Sequence, residues 1–141
     1  IRRGLSATVW PGRLERIRRS PDVFLDGAHN PAGARALAGY IRHFHHDRRV
    51  WMIFGAMHDK DLHVIGHSLF HLASELIFTT PNQARAYQAE EIREISGESR
   101  ARVIPSVHDA LKIIGEAGPD DAVFVTGSLY LVGEARTMLM G

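Results

Sequence analysis

Apolar residues recur along this chain in two rhythms that take turns. Continuous runs occur at Val23-Phe-Leu25, Val50-Trp-Met-Ile-Phe54, Leu76-Ile-Phe78, Val103-Ile104 and Ala122-Val-Phe-Val125. Strands buried on both faces, as in parallel sheets, carry such runs. Between them the apolar positions follow the helical period. Ala34, Leu37, Ala38, Ile41 and Phe44 form one stripe, and Leu62, Ile65, Leu69 and Leu72 a second. Val107, Ala110, Leu111 and Ile114 form a third, opened by Ser106 with Asp109 at capping-box spacing. Residues Ala89 to Ile95, closed by Gly97, predict a shorter helix, and Ser128 to Met140 a last one. Leu14-Glu-Arg-Ile-Arg18 alternates instead, which suits an edge strand lying antiparallel beside the parallel set. Strand–helix alternation with right-handed crossovers predicts an α/β fold. The expected form is a Rossmann-like three-layer sandwich around a mostly parallel sheet of about six strands, with one antiparallel N-terminal strand. No internal repeat, low-complexity tract or linker interrupts the pattern, so residues 1–141 read as a single domain.

Composition narrows the functional classes. A chain of 141 residues can bury a full core without staples, and with no Cys it has no disulfide framework. Seventeen basic against sixteen acidic residues leave a formal charge of +1, too little to draw in nucleic acid or a membrane surface. The arginines are scattered rather than striped, and no basic face is interleaved with aromatics, so nucleic acid is not an expected partner. No apolar run approaches the ~20 residues of a membrane span, and no signal peptide opens the chain. A cytoplasmic location is expected. Ile1 is no initiator, and Ile1-Arg-Arg-Gly-Leu-Ser6 reads as the tail of an earlier element, so the chain is expected to be a piece of a longer protein.

Nine histidines in a cysteine-free chain raise the question of a metal. His63, His67 and His71 step by four along one predicted helix, but opposite its apolar stripe. They would line solvent, where nothing encloses an ion or orients its ligands. His43, His45 and His46 fall at the end of the preceding helix, where the dipole favours them. No metal site is expected among these groups.

In open α/β sheets ligands gather beyond the carboxyl ends of the strands, and two such ends are chemically loaded. In Leu25-Asp-Gly-Ala-His-Asn-Pro-Ala-Gly33, Asp26 stands where a strand stops. Asn30 followed by Pro31 makes an N-cap and first-turn pair. A carboxylate and the His29 imidazole are thereby presented beside a helix N-terminus, a place that favours anions. The same residues also fit a purely local role, Asn30 capping and Asp26 bracing the turn. In Val125-Thr-Gly-Ser-Leu-Tyr130, Ser128 starts a helix after a buried strand, and a simple N-cap is the plainer reading of it. Arg13, on a Trp-Pro-Gly turn, offers a forked cation that suits a phosphate or carboxylate. Neither G-x-G-x-x-G nor G-x-x-x-x-G-K-[ST] occurs in this sequence, so it holds no phosphate-cradling loop of those types.

Together these residues resemble a known family. Gly4-Leu5, Trp10-Pro-Gly-Arg-Leu-Glu15 and Leu25-Asp-Gly-Ala-His-Asn-Pro31 look like the carboxy-terminal domain of the folylpolyglutamate synthase/dihydrofolate synthase family, within the Mur ligase superfamily. The likeness continues through Phe54-Gly-Ala56, Asp59-Lys-Asp61, Thr79-Thr-Pro81, Arg85-Ala86 and Thr126-Gly-Ser-Leu-Tyr-Leu-Val-Gly133, in order over the whole chain. Peptidoglycan-building Mur ligases more often carry an aromatic residue where Gly27 stands, which favours the folate branch. The resemblance implies an ATP-dependent amide ligase that joins glutamate to folate or dihydropteroate through an acyl phosphate. It also implies that the P-loop and the Mg2+ ligands lie in an N-terminal region outside this chain, which would be this domain's partner. Carried over by motif, Arg13 would contact ATP phosphates and Asp26 the ribose. His29, Asn30 and Ser128 would lie near glutamate and the acyl phosphate, with His29 as the catalytic candidate, acting by binding and charge rather than as the base. Two other readings remain open: another Mur-type amino-acid ligase, and a stand-alone module binding a small anion or amino acid.

Overall fold

A computed structural model describes residues 13–141. Trp10, Pro11 and Gly12, and the Gly4-Leu5 pair, lie outside the described residues. Six strands form one sheet: β1 (Glu15–Arg18), β2 (Asp22–Asp26), β3 (Val50–Phe54), β4 (Glu75–Phe78), β5 (Arg102–Val103) and β6 (Ala122–Thr126). Their order is β1-β2-β6-β3-β4-β5, with β1 antiparallel to β2 and every other pairing parallel. The predicted edge strand and parallel set are both present. Since β6 returns to lie between β2 and β3, the sheet has its topological switch point there, beside Asp26 and Thr126.

Among the described residues five α-helices cover the two faces: α1 (Pro31–Phe44), α2 (Leu62–Leu69), α3 (Ala89–Ser96), α4 (Val107–Leu111) and α5 (Leu129–Met140). Alternation along each strand sorts the core into two halves. Phe24, Met52, Phe54, Phe78 and Phe124 pack under α1, α2 and α3. Leu25, Ile53, Ile77, Val123 and Val125 pack under α4 and α5. The Phe24 and Phe124 rings stack at 4.9 Å, which locks β2 to β6 just below the switch point.

Three local expectations change. The stripe of α1 stops at Ile41, because Phe44 is 57% exposed. The chain leaves helical geometry at His45, whose ring takes the buried place expected of Phe44. Its ring lies 5.3 Å from each of Phe24, Tyr40 and Phe124. Burial, helped by the Arg48 charge, lowers the His45 pKa to about 4, so this residue is a neutral core ring rather than a cation answering the helix dipole. The second change is in α2, which ends at Leu69 and tightens into a 3-10 turn over Phe70–Leu72. Phe70 folds back across Gly66, where no side chain would fit beneath its ring. His63, His67 and His71 are exposed, as their spacing predicts. The third change is in α4, which gives way after Leu111 to a 3-10 turn over Lys112–Glu116. That turn buries Ile113 as well as Ile114.

Candidate functional site

The loop after β2 is built by short-range hydrogen bonds. Asp26 Oδ1 accepts from Ala28 N at 2.9 Å, and Asn30 Oδ1 accepts from Gly33 N at 2.8 Å, capping α1. Both local roles read from the sequence are therefore filled. Capping uses only one side of Asn30 and bracing one oxygen of Asp26, so each keeps capacity for a ligand. Burial raises the Asp26 pKa, while the Ala28 N–H, the Arg13 charge and the Leu14 N–H pull it back down. His29 is held by its Nδ1 at 2.8 Å from the Gly27 carbonyl oxygen. Because a carbonyl only accepts, Nδ1 must carry the proton, which leaves Nε2 as the ring atom that can accept.

The loop after β6 meets this one across the switch point. Gly127 has φ +111 and passes so close to the Gly55 carbonyl and the Phe54 ring that a Cβ has no room. That close approach sets Ser128, 2% exposed, as the cap of α5, accepting from Tyr130 N and Leu131 N. The simple capping role of Ser128 is thus confirmed, and it still lines a cleft.

Two adjoining clefts open at this end of the sheet. One, of about 380 Å³, is lined by Arg13, Asp26, Gly27, His29, Asn30 and Gly33, among others. The other, of about 390 Å³, is lined by His29, Asp59, Lys60, Arg85, Ser128 and Tyr130, among others. His29 and Leu129 belong to both, so the clefts are two halves of one groove. All five residues singled out in the sequence come together here.

Lys60 and Arg85 were given no role by sequence reasoning. They reach the groove from two different loops that are tied to each other. Met57 bridges Ala86, His58 N donates to the Arg85 carbonyl at 2.7 Å, and Tyr87 N donates to the Ala56 carbonyl at 2.9 Å. The His58 ring rests 4.3 Å from that of Tyr87. Lys60 has Asp59 at 3.6 Å, and Arg85 has no side-chain partner among the described residues. Two signals were available: both residues stand in stretches that carry the resemblance, Asp59-Lys-Asp61 and Arg85-Ala86, and both loops follow parallel strands, β3 and β4, and so open on the same edge as Asp26. Electrostatically, one half joins a cation to a carboxylate, and the other gathers two cations beside an imidazole. The first suits a ribose with phosphates, the second a small carboxylate-bearing amine. No group of three or more metal-ligating side chains occurs among the described residues. No helix among them is long and apolar enough to cross a membrane.

A family model described as the Mur ligase glutamate ligase domain matches residues 12–129. The chain is 39% identical, over 97% of its length and 17% of the relative's, to a probable bifunctional folylpolyglutamate synthase/dihydropteroate synthase of Halobacterium salinarum. It is 32% identical, over 99% of its length and 33% of the relative's, to the dihydrofolate synthase/folylpolyglutamate synthase of Bacillus subtilis. Among solved structures it matches the bifunctional folylpolyglutamate synthase/dihydrofolate synthase of Yersinia pestis with Mn, AMPPNP and L-glutamate bound. The TM-score is 0.86 and the identity 27%, over 98% of this chain and 34% of that one. The chain thus spans between about a sixth and about a third of the length of these relatives.

Proposed function

Since this chain belongs to the Mur ligase glutamate ligase domain family, we propose that it is the carboxy-terminal domain of an ATP-dependent amide ligase of the folate branch, joining L-glutamate to folate or dihydropteroate. The observation that carries this reading is the single groove with two differently charged halves meeting at His29. In the reaction, ATP phosphorylates the acceptor carboxylate, releasing ADP and leaving an acyl phosphate. The glutamate amine then attacks the carbonyl, and the tetrahedral intermediate collapses to an amide and inorganic phosphate.

Each side chain has a part that its chemistry supports. Asp26 accepts from the ribose hydroxyls, and Arg13 forks onto phosphate oxygens. Lys60 and Arg85 take the carboxylates of the incoming glutamate. The His29 Nε2 accepts from its ammonium end, and Asn30 and Ser128 frame that end of the groove. With Nδ1 committed to Gly27, His29 orients the amine by binding, through the lone pair of Nε2. The one carboxylate lining the nucleotide half, Asp26, already accepts from the Ala28 and Leu14 N–H groups and has the Arg13 charge acting on it, which disfavours a divalent cation there. The Mg2+ ligands and the P-loop are assigned to the rest of the full-length protein, in the cytoplasm with its substrates.

The test is a glutamate-ligation assay on the full-length protein. Lys60→Ala and Arg85→Ala should each raise KM for glutamate about ten- to hundredfold, the loss of a charge-assisted hydrogen bond, with KM for ATP within twofold. Unchanged glutamate kinetics in both variants would remove the second half-groove from the reading. Ligation by the 141-residue chain alone would overturn its role as one domain of a longer enzyme.

A further inference from the structure

The last residue of β6 carries a group that nothing in the site accounts for. Thr126 is fully buried, and its Oγ1 has no hydrogen-bond partner among the described residues. Buried hydroxyls are nearly always bonded, because leaving one unpaired forfeits its hydration for nothing. The rest of β6 is Ala-Val-Phe-Val, and a valine would fill the same volume without that penalty.

The position of this hydroxyl is informative. Thr126 is the register partner of Asp26 across the parallel β2–β6 pair. Phe24 and Phe124, two residues back on each strand, stack on each other on the α1 side. By alternation Asp26 and Thr126 stand on that same side, one step nearer the groove. Asp26 accepts from the backbone N–H groups of Ala28, at Oδ1, and of Leu14, which leaves part of the acceptor capacity of its two oxygens unused. A donor without an acceptor therefore sits in register with a carboxylate that has acceptor capacity to spare.

We infer that Thr126 is a positioning residue for Asp26: its hydroxyl donates to the carboxylate when a ribose diol is bound, fixing the orientation in which Asp26 accepts from that diol. This rests on the nucleotide reading of the half-groove. The other charged or titratable groups on that cleft are Arg13, ahead of β1, and His29, in the β2–α1 loop; α1 and α5 present Gly33, Ala36 and Leu129. A donor from Thr126 adds to Arg13 in favouring the ionised carboxylate, against the burial that disfavours it.

The experiment is steady-state kinetics of the full-length protein as a function of pH, for Thr126→Val, Thr126→Ser and Asp26→Ala. Thr126→Val should raise KM for ATP about five- to tenfold with KM for glutamate unchanged. It should also move the acid limb of the KM(ATP) profile to higher pH. Thr126→Ser should restore both. Thermal unfolding of Thr126→Val should be no lower than that of the parent, since an unpaired hydroxyl has gone. If Thr126→Val leaves KM(ATP) and the acid limb unmoved while Asp26→Ala raises KM(ATP), the hydroxyl takes no part and the inference is wrong. If Asp26→Ala itself leaves KM(ATP) unmoved, the nucleotide reading fails first and this inference falls with it.

Discussion

Strand β2 begins and ends on an aspartate, and the two are surrounded in opposite ways. Asp22, at the amino end, takes Arg48 Nη1 at 2.9 Å. The same guanidinium donates to the carbonyls of Asp120 and Asp121 and to His45 Nδ1. One arginine thus pins the starts of β2 and β6 to the end of α1. Nearby, Trp51 Nε1 donates to Asp121 Oδ2 at 2.9 Å, and Gly118 N to the same oxygen. At the carboxyl end, Asp26 has Arg13 near enough to influence its charge, yet no ion pair joins them. Lys60 and Arg85 face a groove, Thr126 Oγ1 is unpaired, and Leu129 and Tyr130 are more than half exposed. Polar groups at one end are consumed by the fold; at the other they are left for something else to complete. A charge that is saturated within its own chain is evidence for stability, whereas a converging set of unsaturated ones is evidence for a ligand.

The sharpest way to break the carboxyl end is at Gly127. An alanine there would need φ +111 and a Cβ overlapping the Gly55 carbonyl oxygen. Strain and overlap together should destabilise the protein by more than about 3 kcal/mol, lowering Tm by roughly 10 °C. The same change should displace the Ser128 cap, so ligation should fall even where the protein stays folded. Calorimetry of Gly127→Ala beside an assay at low temperature checks both. A variant as stable as its parent would mean that the approach of β3 to β6 is looser than this geometry.

His45 sharpens the picture of the amino end. Its Nδ1 must accept from Arg48, so the proton sits on Nε2, buried without a hydrogen-bond partner among aromatic rings. With the pKa lowered from 6.5 to about 4, the unfolded chain binds a proton between those pH values that the folded protein refuses. Stability is therefore fully present above pH 6.5 and declines toward pH 4, by up to about 3 kcal/mol. His45→Phe removes this contribution. The gap, parent stability minus variant stability, should fall by up to that amount as pH drops across that window. A gap constant from pH 7 to pH 4 would show that His45 protonates inside the fold as readily as outside it.

What was legible in the sequence divides along the same line. Strands and caps were readable because they obey local rules: buried parallel strands write unbroken apolar runs, and Asn30, Ser106 and Ser128 cap through their own neighbours. The exchange of Phe44 for His45 was not readable, since only the Phe24 and Phe124 rings, from distant strands, make room for an imidazole. Asp26, His29 and Asn30 stood out because one short loop holds them together. Lys60 and Arg85 did not, because their meeting depends on the Met57–Ala86 bridge between two loops. The unpaired state of Thr126 appears only once β2 and β6 are in register. Local chemistry was visible in the chain; chemistry assembled across strands was not.

The two arginines test the comparison head to head. Arg48→Ala leaves the half-buried Asp22 without its near partner, takes the guanidinium donor from the Asp120 carbonyl, and leaves the Asp121 carbonyl with Asp22 N alone. It should destabilise the protein by about 2–3 kcal/mol, with KM for ATP in the folded full-length enzyme within twofold. Arg13→Ala should do the reverse. Arg13 is exposed and makes no side-chain hydrogen bond among the described residues, so its loss should alter stability by no more than about 0.5 kcal/mol. If its fork grips a phosphate, KM for ATP should rise about tenfold, equivalent to ~1.4 kcal/mol of lost binding. Arg13→Lys, which keeps the charge but not the two parallel donors, should recover part of that loss. Complete recovery would mean that Arg13 acts as a point charge near the phosphates. No rise in either variant would return Arg13 to the solvent, leaving Asp26 as the only charged contact this cleft makes with the nucleotide.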